Sequence, residues 1–294
     1  MDNPRLNQFG IIGAGRVAQA LALAFAPHSI ARPLLWSRSV ENTHDAASPT
    51  GCAETARGVD HLIDACDIIA IAVSDDALPE IVADLASRLP SGHTPFVFHV
   101  SGRSGAAVLA PVRAAGGTTA AIHPAMTFTG HPDSEVRRMA DARFAVTGST
   151  PEAAKQAKQI VALLGGVAVE IAEDRRALYH AALCHASNHL VTLIAGASDA
   201  LTDAGVDDPA ALLAPLVRAA LENGLDHGFA GLSGPLLRGD DRTIGEHLDA
   251  LGTYSPQLLP AYRAMARATL DELERSGTRP STHLSALDSI LAVP

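Results

Sequence analysis

The sequence predicts an α/β chain: a doubly wound parallel sheet in the N-terminal part, followed by an all-α domain. Three observations carry this expectation. Short apolar runs alternate with helix-forming stretches as far as Ile171. Beyond Ile171 the apolar runs stop and only helical patterns follow. The first apolar run leads directly into Gly13-Ala14-Gly15 and then into an Ala/Leu-rich segment. Strands separated by helices are joined by crossovers, which make neighbouring strands parallel and place helices on both faces.

The bulk numbers bound the answer. At roughly 150 residues per domain, 294 residues suggest two domains. Apolar residues make up 47% and charged residues 18%, which favours a sizeable core over disorder. A net charge of −10 argues against nucleic acid or an anionic membrane as the main partner. Cys52, Cys66 and Cys184 are odd in number and widely spaced, which fits a reducing compartment better than a disulfide framework. The opening "MDNPRLNQFG" lacks a basic stretch followed by an apolar run, and no run approaches ~18 apolar residues. A soluble, cytoplasmic protein is therefore expected.

Taken in order, "QFGII" is a buried-strand candidate and "RVAQALALAFAPH" a helix ending near Pro27. "PLLW" and "DIIAIAV" (Asp67 to Val73) are the next strands, and "DALPEIVADLASRL" a helix. "PFVFHV" is a strand, "SGAAVLAPVRAAG" a helix and "TTAAIH" a strand. "RFAVTG" and "GVAVEI" flank a helix at Pro151 to Leu164. From Asp174 a single helix of roughly 30 residues is expected. Further helices are expected at Ala210–His227, Thr243–Ala250, Pro256–Ser276 and Thr282–Leu291. This places a nucleotide-binding domain at 1–172 and a helical substrate and dimerisation domain at 173–294.

The glycines explain the first domain. Gly13-Ala14-Gly15-Arg16-Val17-Ala18 reads G-x-G-x-x-A between a strand and a helix, the context a dinucleotide fingerprint requires. Gly13 permits the tight turn, Gly15 lets a diphosphate approach the backbone, and Ala18 allows close packing. The free N–H groups at the helix start, Arg16 and Val17 among them, would face the phosphates. At the end of the second strand an acid would bind the ribose hydroxyl of NAD. Ser37, Arg38 and Ser39 stand there instead, and suit a 2′-phosphate, so NADP(H) is expected over NAD(H). The bland alternative is a solvated Arg38. Ser74 and Asp75 follow another strand and are expected to line the cofactor, with helix capping as the alternative for Asp75.

Three segments carry candidates for chemistry. Ser101, after the strand ending at Val100, offers a hydroxyl to substrate or caps the next helix. His123, followed by Pro124 at another strand end, could move a proton near neutral pH or be satisfied by the backbone. In "ALYHAALCHASNHLV", His180, Cys184 and Asn188 recur at i, i+4, i+8 and share a helix face, either toward a polar substrate or within an inter-helix network. Two ligands one turn apart do not make a zinc site, so no metal is expected. Arg238 in "GPLLRGDDRT" could reach a substrate carboxylate or lie in solvent.

Taken together, "GIIGAGRVA", "WSRS", "FHVSG", "HPAMTF", "YHAALCHASNHLV" and "SGPLLRGD" resemble a family of Rossmann-like proteins with a C-terminal helical domain of unknown function. These are similar to pyrroline-5-carboxylate reductases, ketopantoate reductases, prephenate dehydrogenases and the 6-phosphogluconate-dehydrogenase-like group. The resemblance implies a Rossmann domain followed by a helical domain that often dimerises. His123-Pro124 resembles the catalytic His-Pro pair of prephenate dehydrogenases. Asn188 matches the Asn of the ketopantoate reductases, but Cys184 stands where their Lys would be, which leaves the proton to His123 or His180.

The expected function is therefore an NADP-dependent oxidoreductase, with a small carbonyl or imine substrate, a carboxylate-bearing 2-oxo acid first, held between the domains. His123 would be the acid/base, Asn188 and Ser101 would orient the substrate oxygen, and His180 would be the alternate acid. The alternatives are a non-catalytic NADP-binding regulator and a reductase exchanging hydride between NADP and a deazaflavin.

Overall fold

The structure is a computed structural model and describes residues 6–47, 51–90, 95–278 and 284–292. The chain divides into two compact units, Met1–Cys184 and His185–Pro294.

The first unit is built on one eight-stranded sheet. Its strands are β1 (Phe9–Ile12), β2 (Leu34–Trp36), β3 (Glu54–Thr55), β4 (Ile68–Ile71), β5 (Phe96–His99), β6 (Thr118–Pro124), β7 (Arg143–Gly148) and β8 (Val167–Glu170). They lie in the order β3-β2-β1-β4-β5-β6-β7-β8. The helices between them are α1 (Arg16–Phe25), α2 (Val40–Ala47), α3 (Val59–Ala65), α4 (Leu78–Arg88), α5 (Ala110–Ala114), α6 (Pro132–Met139) and α7 (Pro151–Leu163).

Side-chain alternation assigns the two faces. Phe9 and Ile11 of β1, Ile68 and Ala70 of β4, and Phe96 and Phe98 of β5 join one cluster with residues of α1, α6 and α7. Ile12, Ile69, Ile71 and Val97 join the other, with α3, α4 and α5. Because both faces are covered, these strands read as continuous apolar runs. The Phe9 and Phe25 rings stack at 3.6 Å and are fully buried. Burying such a side chain contributes about 1.5–3 kcal/mol.

Two expectations are corrected here. The sheet is not wholly parallel: β7 runs antiparallel to β6, with Pro124 opposite Phe144 and Ala120 opposite Gly148. The connection between them contains only α6. After α6 the chain re-enters the sheet at the edge where β6 ends and runs back along it. The helix expected across "SGAAVLAPVRAAG" is split into a 3-10 turn, Ala106–Leu109, and α5. Pro111 has no N–H to continue the ladder. α2, β3, α3 and α6 were not expected from the sequence. The signal for α6 is visible in hindsight: Pro132 opens it, Asp133 and Glu135 fill its first turn, and Arg137 and Arg138 its last.

The long helix α8 (Arg176–Asp203) belongs to the first unit as far as Cys184 and to the second beyond it. The second unit continues with α9 (Pro209–His227), the short α10 (Pro235–Arg238), α11 (Asp241–Tyr254), α12 (Leu259–Arg275) and α13 (Leu284–Ala292). Its core is small: Ile244, Leu248, Ala266, Leu270, Leu273, Leu287 and Leu291. Asp208 caps α9 through the Ala211 N–H, and Asp240 caps α11 through that of Thr243. Among the described residues no helix is long and apolar enough to cross a membrane.

Candidate active site

The turn between β1 and α1 has the geometry its glycines require. Gly13 has φ +135°, and a Cβ there would stand 2.2 Å from the Ala72 carbonyl oxygen at the end of β4. Gly15 is the N-cap of α1, with extended backbone, and a Cβ there would meet nothing within 4 Å. No side chain caps α1 and its first turn holds no acid. The turn that leads into it borders a cleft of about 440 Å³ lined by Gly13, Gly15, Trp36, Ser37, Arg38, Ser39 and Ser74. Bare N–H groups at the positive end of a helix form an anion site. Val17 has only its N–H to offer, since its side chain packs on the core. The Arg16 side chain turns to the Phe128 carbonyl, 3.4 Å away.

At the other end of the cleft, the Ser37 hydroxyl bonds the Ser39 carbonyl (2.9 Å) and the Thr43 hydroxyl (2.8 Å). Its single proton is spent inside the turn. Ser39 Oγ accepts from the Asn42 N–H (3.2 Å) and keeps its own proton. Arg38 meets Glu80 at 3.3 Å, with both side chains largely exposed. Such an exposed pair is worth about 0–1 kcal/mol.

Asp75 departs from expectation. It does not line this cleft; its carboxylate pairs with Arg103 Nε at 3.0 Å, and Arg103 Nη2 lies 3.8 Å from Asp76. Neither aspartate caps α4, whose N-cap is Ala77. The charge of Arg103 instead ties the loop after β5 to the loop after β4.

The carboxyl ends of β5 and β6 bring the histidines together. His99 is fully buried; its Nδ1 accepts from the Ser101 N–H (3.1 Å) and its Nε2 bonds the Gly105 carbonyl (2.8 Å). This holds the Ser101–Gly105 loop in shape. Ser101 Oγ accepts from the Ser104 N–H (3.2 Å), which leaves the hydroxyl proton free to donate. Gly102 passes so close to the histidines that a Cβ would stand 2.9 Å from His123 Nε2 and 2.5 Å from His180 Cδ2. Glu173 accepts from the Ala107 N–H (3.2 Å) and closes the loop from its far side.

His123 is held by Tyr179, whose hydroxyl lies 2.9 Å from Nδ1 with the rings edge to face. Burial pushes the His123 imidazole down to about 4; Arg176 and His180 push the same way and Asp75 opposes them. Burial likewise takes His99 to about 4. The expectation of a histidine titrating near neutral pH is thereby corrected. His123 is neutral at pH 7 and holds one N–H, because its pocket disfavours the cation.

His180 lies 6.1 Å from His123 between ring centres and 3.8 Å from Cys184 Sγ. Asn188 falls in the second unit, exposed, where its Oδ1 accepts from the Ser187 hydroxyl (3.1 Å). It is not among the groups assembled in the first unit. Arg238 ends α10 in the second unit. Tyr179, Arg176 and Glu173 were missed as partners of the histidines. Tyr179 stands beside His180 in the sequence, but nothing local announces that it reaches a strand end 56 residues earlier. No group of three or more His, Cys, Asp or Glu side chains able to hold a metal occurs among the described residues.

Residues 1–124 match the model of a Rossmann-like domain, and residues 142–269 match a domain of unknown function, DUF2520. The chain joins a Rossmann-like domain to a DUF2520 domain. The DUF2520 segment begins one residue before β7, so it takes in β7, α7 and β8 as well as helices α8 to α11, and it ends within α12. No curated protein matches this Rossmann-like/DUF2520 chain. Among solved structures it is similar to a candidate NADP oxidoreductase from Bacteroides fragilis, with TM-score 0.72, 20% identity, and 90% of this chain and 97% of that one covered. A reductive aminase from Aspergillus terreus, solved with NADPH and ethyl levulinate, gives TM-score 0.63 at 19% identity over 96% and 99%. A pyrroline carboxylate reductase from Plasmodium falciparum with NADP bound gives 0.55 at 17% over 99% and 97%. At these identities the likeness is one of fold.

Proposed function

We propose that this chain is an NADP-dependent oxidoreductase acting on a small carbonyl or imine compound, with 2-oxo acids and cyclic imino acids as the first substrate classes. The observation that carries the reading is the cleft at Gly13 and Gly15. Its floor is an uncapped helix start, and its far end carries Arg38 with no acid beside Ser37 or Ser39. That donor set fits a diphosphate at one end and a 2′-phosphate at the other. Structures similar in fold are solved with NADP or NADPH bound, which supports the same cofactor here.

When bound, the nicotinamide supplies the hydride. The chain supplies position and a proton. Neutral His123 offers its one N–H to the substrate oxygen or nitrogen, and Ser101 its free hydroxyl proton. His180 is placed against the same glycine, Gly102, and shapes the pocket wall.

The protein is further proposed to act as a homodimer. Leu178, Val191 and Leu193 of α8 and Leu212, Leu216, Leu221 and Leu225 of α9 are exposed. Helices apolar on several sides ordinarily lie inside a larger assembly, and a second copy supplies one.

The deciding experiment titrates NADPH and NADH into the full chain, then follows NADPH consumption against 2-oxo acids and cyclic imines. NADPH is expected to bind more tightly. Arg38→Ala should weaken NADPH about 10- to 100-fold, the worth of a charge-assisted contact, and leave NADH unchanged. Equal affinities in wild type would remove the phosphate reading. Binding without turnover across the panel would leave a nucleotide-binding regulator instead.

A further inference from the structure

Arg176 is unlike any other residue of α8. It is 1% exposed, and it is the only buried residue in a helix of 28. Its Nε donates to the Thr147 hydroxyl (2.8 Å), and its Nη2 to the carbonyls of Ala121 (3.1 Å) and Ala145 (3.4 Å). All three acceptors are neutral. Nη1 has no partner, and no carboxylate among the described residues lies within ion-pair range of the guanidinium. A buried cation without a counter-ion is costly and invites an anion nearby.

Two groups act on that charge: the Glu173 carboxylate, which stays beyond ion-pair range, and Tyr179, one turn along the helix. The guanidinium carbon lies 6.0 Å from its ring centre. Burial raises the Tyr179 phenol above its ordinary range, while Arg176 pulls the other way. The hydroxyl meets His123 Nδ1 at 2.9 Å, and the opposite edge of that imidazole, Nε2, faces Gly102 at the carboxyl end of the sheet. Guanidinium, phenol and imidazole thus run in sequence from the interior to the proposed substrate pocket.

We propose that Tyr179 is a positioning residue that holds His123 in its Nε2–H form and resupplies its proton, with Arg176 as the charge that steadies the phenolate left behind. What the relay serves rests on the oxidoreductase reading; the relay itself belongs to the unliganded chain. In the reductive direction the His123 Nε2–H bond breaks and the proton goes to the substrate oxygen or nitrogen. The electron pair stays on the imidazole, whose Nδ1 takes the Tyr179 proton. The phenolate then faces Arg176 until a water proton reaches Nε2 and the Nδ1 proton returns to Tyr179, so one solvent proton has reached the substrate and His123 is back in its Nε2–H form. A neutral imidazole acting alone would end as an imidazolate, a far less stable anion. The coupling to Tyr179 moves that charge to the site where a cation already waits.

The test needs no substrate at first. Nitrogen-15 NMR of the histidine rings in the full chain, from pH 6 to 9, should find His123 protonated on Nε2 and bare on Nδ1. In Tyr179→Phe the tautomer ratio should shift at least tenfold. His123 protonated on Nδ1 in wild type, or a ratio unchanged in Tyr179→Phe, would overturn the relay. Arg176→Met should raise the pH at which the Tyr179 phenol ionises in ultraviolet difference spectra. If that variant does not fold, Tyr179→Phe, which keeps the ring, decides alone. With a turnover substrate, Tyr179→Phe should lower kcat at least tenfold at constant KM and introduce a new inflection in the pH profile. The other groups facing His123, namely His180, Asp75 and His99, are left in place. If His123→Asn abolishes turnover while Tyr179→Phe keeps the wild-type profile, the relay fails and the oxidoreductase reading stands. If NMR gives the expected tautomers but nothing is turned over, the relay geometry stands and that reading fails.

Discussion

Helices α1 and α8 are both rich in alanine and leucine, yet the fold uses them in opposite ways. α1 buries Ala18, Ala20, Leu21, Ala22, Ala24 and Phe25 against its own sheet and leaves its first amides bare. α8 buries a single residue, Arg176, and that one is charged and lies at its start. Its apolar side chains Leu178, Val191 and Leu193 are exposed. One helix is completed by its own chain and offers an end to a ligand. The other is anchored at its end and leaves its body uncovered. Composition alone does not separate these cases; what separates them is whether the apolar positions share one face that a neighbouring strand can cover.

The sharpest way to break the α1 half of this contrast is Gly13→Ala. The new Cβ would sit 2.2 Å from a backbone oxygen at φ +135°, where neither the clash nor the dihedral can relax cheaply. A positive φ costs about 1–2 kcal/mol and overpacking about 1–3 kcal/mol more, so a loss of about 4 kcal/mol is expected in urea unfolding, together with loss of NADPH binding. Gly15→Ala separates the ligand from the fold. Open space surrounds that position, so stability should move by less than about 1 kcal/mol while NADPH affinity falls. If both variants bind NADPH as wild type does, the bare amides of α1 are not a cofactor site.

What was legible in the sequence follows the same division. Strand–turn–helix order, the glycine turn and the long helix after Ile171 are local patterns and could be read directly. So could His123 and Ser101 as strand-end residues. The reversal of β7 was not legible, because strand direction is set by pairing with β6 and leaves no mark in the residues of either strand. Nor was the fate of Asp75, which is drawn to Arg103 in another loop. The neutral state of His123 was also out of reach. It arises from burial and from Arg176, 53 positions away, and no window of sequence contains both.

Acid should expose a smaller difference between the two units. His99 is fully buried and held near 4, whereas His185 and His189 of α8 are exposed, their Nδ1 atoms 3.0 Å apart. The folded state resists protonation of His99 and the unfolded state does not. Between about pH 6.5 and 4 the unfolded chain therefore binds more protons, and stability present above that window is lost as pH falls through it. From 6.5 to about 4 the loss is on the order of 3 kcal/mol. Urea midpoints at pH 7 and pH 4.5 would measure it, and His99→Gln should reduce the dependence without abolishing it, since buried His123 is held near 4 as well. An unchanged slope in that variant would place the acid sensitivity elsewhere.

The uncovered half of the contrast yields the mildest effect on the fold and the clearest one on assembly. On α9, Leu212 and Leu216 lie on one side, and Leu221 and Leu225, nine residues further along, on nearly the opposite side. A single neighbouring helix cannot cover both, so the proposed dimer requires a second copy that wraps α9 or meets it from two directions. Covering one leucine is worth about 1.5–3 kcal/mol, or roughly ten- to a hundredfold in dissociation constant. Leu216→Glu and Leu225→Glu should each weaken the dimer by at least that much in sedimentation velocity, because a carboxylate resists the same burial. The cores around Phe9 and around Leu270 should be untouched, so unfolding measured on the monomer should shift by less than about 0.5 kcal/mol. A wild-type chain that sediments as a monomer at micromolar concentration would mean that these leucines are tolerated in water, and the contrast between α1 and α8 would then say nothing about assembly.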